Sequence, residues 1–125
     1  MNNMNKIDPK YIDVPNICFS LTNKDDERDI EFAKQRMVRG FDDSETWSLY
    51  TTMANFIIPR LKRYIELTEN RIIQTEEDRI QLNKLLTAME LIVRNDGIEL
   101  FTKDEEKQVK EGVELLSKIF FNLWW

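Results

Sequence analysis

Three pairs of acidic side chains stand at helical spacing: Glu27/Glu31, Glu66/Glu69 and Glu111/Glu114. Residues three or four apart share one face of a helix, so each pair could present two carboxylates to a Mg²⁺ ion. Metal-assisted hydrolysis of a phosphate ester is the chemistry such a site would do. Little else in the chain offers chemistry. Histidine is absent, which removes the commonest general base and, with it, any Ser-His or Cys-His nucleophilic pair and any Cys/His zinc site. Cys18 is the sole cysteine and reads as a small apolar filler rather than a nucleophile. The three glycines are never clustered, so no phosphate-cradling loop exists. Acidic pairs on helices are ordinarily solvated surface. The expected protein is therefore no enzyme, with no catalytic residues, no metal and no cofactor.

Two other clusters suit recognition better than catalysis. One runs from Arg36 and Arg39 through Phe41, Asp42, Asp43, Glu45 and Trp47, and is followed by Arg60 and Arg63. Arginine and tryptophan are over-represented at interface hot spots, though arginines beside acidic caps also build internal networks. Both readings stay open. The other cluster is Phe120-Phe121-Asn122-Leu123-Trp124-Trp125. One helix face cannot bury all these rings, so they are expected to dock on the N-terminal arm or on a partner. The candidate binding residues are Arg36, Arg39, Trp47, Arg60, Arg63, Trp124 and Trp125.

Composition narrows the class. A chain of 125 residues, 42% hydrophobic and 33% charged, suits a globular fold that closes without disulfides. The net charge is −5, which disfavours general nucleic-acid binding, because phosphate contacts dominate that affinity. Residues 34–71 are the exception, with seven basic side chains against five acidic ones. A lone cysteine and the lack of an apolar leader fit a reducing compartment. No apolar run approaches the ~20 residues of a membrane span.

The elements that position these residues read as all-α. Residues 1–22 hold Pro9 and Pro15 among apolar side chains and are expected to form an extended arm packed on a helical domain of residues 23–125. A first helix should begin after Asn23, bury Ile30, Ala33 and Met37, and end at Gly40. Asp42 and Glu45 form a capping box for a second helix, whose stripe is Trp47, Tyr50, Ala54, Ile57, Leu61 and Tyr64/Ile65. That stripe persists through Pro59, so the helix either kinks there or restarts, and its continuity favours the kink. A third helix spans about Thr75–Arg94, with Thr75 as N-cap and Leu82, Leu85, Leu86, Met89, Ile92 and Val93 as its face. A fourth opens on a capping box of Thr102 and Glu105 and carries Val109, Val113, Leu116, Phe120 and Leu123/Trp124. Together they predict an irregular bundle of about four helices.

Two resemblances follow. All-α nucleoside triphosphate pyrophosphatases carry Glu-x-x-Glu and Glu-x-x-Asp elements; only Glu66/Glu69 is similar, and no Glu-x-x-Asp follows. More specific is the order Arg39-Gly40-Phe41-Asp42-Asp43, Thr46-Trp47-Ser48-Leu49, Ile58-Pro59-Arg60-Leu61, Glu111-Gly112-Val113-Glu114-Leu115-Leu116 and a closing Leu123-Trp124. Over residues 36–125 this resembles a widespread family of small proteins encoded by tailed bacteriophages, departing at Tyr50, where an Asp is often seen. The resemblance implies a phage origin and brings no activity with it. The expectation is a non-enzymatic accessory protein in the host cytoplasm, binding a host protein such as a defence component or sequestering a small ligand such as a nucleotide. The alternatives are a virion or assembly protein, with a homo-oligomer admitted, and then a metal-dependent pyrophosphatase.

Overall fold

The structure, a computed structural model, describes residues 18–22, 25–69, 75–95 and 101–125. Of these, 78% are helical and none lies in a strand, so the fold is all-α. The four helices are α1 (Asp29–Arg39), α2 (Leu49–Thr68), α3 (Glu76–Asn95) and α4 (Lys103–Ile119), with 3₁₀ turns at Asp43–Thr46 and Phe120–Asn122. The chain divides into two compact units, Met1–Glu45 and Thr46–Trp125. The division falls inside the expected helical domain. The arm expected over residues 1–22 is described only from Cys18 onward, and its earlier part lies outside the described residues.

In the first unit α1 starts later than its sequence predicts. Asn23 lies outside the described residues, and Asp26 closes a turn ahead of the helix: its carbonyl accepts the Asp29 amide at 2.9 Å and its carboxylate accepts the Arg28 amide at 2.9 Å. The expected apolar stripe is also reversed. Ile30 and Met37 are 73% and 69% exposed, and Phe32 is the buried apolar residue of α1. The inward face carries Asp29, Phe32 and Arg36 at spacings of three and four. A hydrophobic count misses it because two of its three members are charged. Gly40 ends α1 as expected, left-handed at φ +85° with its N–H on the Arg36 carbonyl at 2.8 Å. That region is costly for any residue with a Cβ.

In the second unit α3 is the central helix, packed against α2 on one side and α4 on the other. Leu82, Leu85, Ala88, Met89 and Ile92 are its buried line, and Ala54 and Leu61 of α2 complete the core. Thr75 caps α3 reciprocally with Asp78, each backbone N–H meeting the other's side chain at 3.0–3.1 Å. The Thr102/Glu105 box caps α4 as predicted. The Asp42/Glu45 box heads the 3₁₀ turn and not α2, which begins two residues after Trp47.

Two stripes depart from expectation. On α2 Ala54, Ile57, Leu61, Tyr64 and Ile65 belong to the core or pack against it as predicted, joined by Ile58 and by buried Thr51 and Thr68, whereas Trp47 and Tyr50 are exposed. The helix runs unbroken through Pro59. On α4 the line is Val109, Gly112, Leu116, Ile119 and Leu123, leaving Val113 and Phe120 exposed. Gly112 decides this rotation. A Cβ there would lie 2.2 Å from the Ala88 Cβ and 3.2 Å from the Lys84 carbonyl, so two small residues let α3 and α4 meet backbone to backbone.

Candidate functional site

The sequence offers two candidate clusters, and the folded chain treats them differently. Around Arg36 the polar groups turn toward one another. Its guanidinium donates to Asp42 Oδ2 at 2.5 Å, to Ser20 Oγ at 3.1 Å and to Asp29 Oδ1 at 3.2 Å. Ser44 donates its amide and hydroxyl to Asp42 Oδ1, and its Oγ accepts the Leu21 amide at 2.8 Å. Glu45 divides its carboxylate, Oε1 accepting the Phe19 amide and Oε2 the Asp42 amide, each at 2.7 Å. Asp42 and Ser44 are fully buried and Glu45 almost so. Segment 18–22, which has no helix or strand to satisfy its amides, is thus fastened to the turn by side chains. Burial by itself pushes the Asp42 carboxyl up, but hydrogen bonds from Ser20, Ser44 and Arg36 outweigh it and hold the pKa at about 2. The same Asp42 contact raises Arg36.

Arg39 is engaged as well, with Asp43 Oδ1 at 2.6 Å, Gln35 Oε1 at 3.2 Å and the Phe41 carbonyl at 3.1 Å, its guanidinium 4.4 Å from the Phe41 ring centre. That hydrogen bond, with Gln35, lowers the Asp43 carboxyl. Arg36, expected as a contact residue, has inward partners and acts as a latch; Arg39, also expected as one, pairs with Gln35 and Asp43 at the exposed surface.

Within Thr46–Trp125 the remaining candidates sit differently. Arg60 donates to the Phe56 carbonyl at 2.9 Å and lies 4.0 Å over the Phe56 ring. Arg63 pairs with Glu66 at 3.0 Å, both exposed, an interaction of ~0–1 kcal/mol. Phe56, Arg60 and Tyr64 succeed one another every four residues, along one face of α2. Where that face reaches Tyr64, its hydroxyl donates to the carbonyls of Asn122 at 3.3 Å and Trp124 at 3.2 Å. The backbone of the C-terminal turn is therefore held, while Phe121, Trp124 and Trp125 are 88%, 70% and 53% exposed. Trp47 is exposed too, at the other end of α2, near Leu49, Tyr50 and Met53.

No protein-family model, curated protein or solved structure matches this chain. Geometry alone bears on function. The acidic pairs do not converge: Glu66 faces Arg63, Glu69 faces Arg79 at 3.1 Å, and no three Asp, Glu or Cys side chains gather where a metal could sit, among the described residues. No described helix is long and apolar enough to cross a membrane.

Sequence reasoning missed several surface and cleft residues. Met53 and Phe56 were hidden among the apolar residues of a helix with an apolar stripe on its other side. Their spacing with Leu49, four and then three, was the available signal. Tyr64 packs against the core as expected, and its hydroxyl, which the stripe does not reveal, fastens the C-terminal turn. A cleft of about 280 Å³ opens beside it, lined by Tyr64, Thr68, Asp78, Leu82, Leu123 and Trp124 among others.

Proposed function

We propose that this protein is a non-enzymatic binding module of a tailed phage, and that it captures a protein partner in the infected cell through its C-terminal aromatic end. One observation carries the reading. The turn Phe120–Asn122 and the residues after it are fastened through backbone carbonyls to Tyr64, while their largest side chains face solvent. Exposed aromatic rings on a held backbone lose little conformational freedom on association, which suits them as interface anchors. Arg60, seated over Phe56 one turn before Tyr64, extends the same face with a cation. The phage setting rests on the sequence resemblance alone.

The test is affinity capture from infected cells with the wild-type chain and a Phe121→Ser/Trp125→Ala variant. The reading expects a protein retained by the wild type, lost with the variant, and kept by an Arg63→Ala control. Retention of the same proteins by all three would contradict it. Quantitative mass spectrometry of purified virions separates a host-directed role, which predicts no stoichiometric copy in the particle, from an assembly role, which predicts many.

A further inference from the structure

We propose that the cleft beside Tyr64 binds an alkylammonium group, with Asp78 meeting the charge and Leu82, Leu123 and Trp124 enclosing the aliphatic stem. The cleft lies between the C-terminal half of α2, the first turns of α3 and the C-terminal turn, all within Thr46–Trp125. Its charged lining is acidic: Asp78 contributes a carboxylate, Thr68, Tyr64, Gln81 and Asn122 are polar and neutral, and no lysine or arginine lines it among the described residues. One Asp78 oxygen accepts the Thr75 amide at 3.0 Å. The other has no hydrogen bond among the described residues, and Asp78 is one of the residues that line the cleft. The Tyr64 hydroxyl already donates toward the C-terminal carbonyls, so a ligand meets its lone pairs. Burial raises the phenol pKa and the Asp78 charge adds to the effect, which keeps Tyr64 neutral and places the two groups within electrostatic reach.

The charge of the lining disfavours an anion. A phosphate or carboxylate would face Asp78 with no described counter-charge on the walls, and a nucleotide is also too large. At about 280 Å³ the space falls at the lower limit of ligand clefts, which run from about 300 to 1,000 Å³. A single ammonium on a short chain matches both the volume and the charge. Trp124 also lines the cleft, and indole is the aromatic ring that cations favour most. The shared chemistry fits either a free polyamine or the lysine side chain of a partner. This site is separate from partner capture by the Phe121 and Trp125 rings, and either can fail without the other.

The experiment is a titration of the full chain at neutral pH with hexylamine, hexanol and hexanoate, followed by amide and indole chemical shifts. Hexylamine should move Asp78, Leu82 and the Trp124 indole saturably, with the alcohol and the acid at least about tenfold weaker. Asp78→Asn should weaken hexylamine by a similar factor. Its amide oxygen still accepts the Thr75 N–H, so circular dichroism and melting should stay at wild-type values. Gln81→Lys places a cation in the cleft without touching that cap, and should also abolish binding. Equal affinity for hexylamine and hexanol, no saturable shift, or wild-type binding in both variants would overturn the proposal. Titrating spermidine against a capped Gly-Lys-Gly peptide and its Nε-acetylated form then identifies the source. Preference for spermidine indicates a free amine, and preference for the unmodified peptide indicates a partner lysine.

Discussion

The turn that follows α1 and the C-terminal end of the chain look alike in sequence, each a short run dense in residues that favour recognition. They differ in what becomes of those residues. Arg36, Asp42, Ser44 and Glu45 satisfy one another and the amides of Phe19 and Leu21. Phe121 and Trp124 stay largely exposed on a fastened backbone. Polar groups with inward partners are bound to the fold, whereas large apolar groups held in solvent are open to a second molecule. Density of interesting residue types therefore identifies a region worth attention. It does not say whether the region serves the fold or a partner.

Asp42→Ala should be the most damaging change. It leaves Arg36 without its main partner and empties a fully buried site, at a cost of about 3 kcal/mol to the Met1–Glu45 unit. Hydrogen exchange at the Phe19 and Leu21 amides reads this directly, with the amides of α3 as reference. A loss under about 0.5 kcal/mol would mean that the latch is ornamental.

Acid acts on the same group next. The folded Asp42 pKa of about 2 lies below its ordinary 3.8, so its contribution is complete above that ordinary value and is lost as pH falls toward 2. At 1.36 kcal/mol per unit the shift is worth about 2 kcal/mol. Asp26 and Asp43 are lowered as well, by Arg28 and Arg39, and act in the same sense. Protection of the Phe19 and Leu21 amides should fall between about pH 4 and pH 2 in the wild type and fall much less in Asp42→Asn, where only the smaller contributions of Asp26 and Asp43 remain.

Gly112→Ala probes the second unit. Alanine favours the helix by about 1 kcal/mol over glycine, but its Cβ would overlap the Ala88 Cβ, so a net loss of about 1–2 kcal/mol is expected in denaturant melts. Adding Ala88→Gly should recover part of it, and a melt unchanged by Gly112→Ala would contradict the close approach of α3 and α4. The smallest effect belongs to the C-terminal rings. Phe121→Ser and Trp125→Ala should each change stability by under about 0.5 kcal/mol, as exposed substitutions do. A larger loss would show that these rings serve the fold, as the latch does.

How much of this could be read in advance depended on which residues carry each contact. The α-helical class, the span of α3 with its leucine face, Gly40 as a terminator and the Thr102/Glu105 box were legible, because each rests on local spacing and capping chemistry. The face of α1, the start of the α2 face and part of the α4 face were not. Phe32 sits between Asp29 and Arg36 on an inward face made mostly of charge, Thr51 is buried at the start of α2 where Trp47 and Tyr50 were expected, and Gly112 marks a contact by lacking a side chain. A count of apolar residues misses all three. The cleft was hidden for another reason, since Tyr64, Asp78 and Trp124 come together only through tertiary packing.

The central claim is that the C-terminal rings are a contact surface and the Arg36 cluster is not. The most direct measurement is the affinity of a captured partner, after its isolation, for the wild type, Phe121→Ser/Trp125→Ala and Arg36→Lys. At least a tenfold loss for the ring variant, with Arg36→Lys within about twofold of wild type wherever it stays folded, is the predicted result. Loss of binding with Arg36→Lys in a folded chain, and none with the ring variant, would contradict the account.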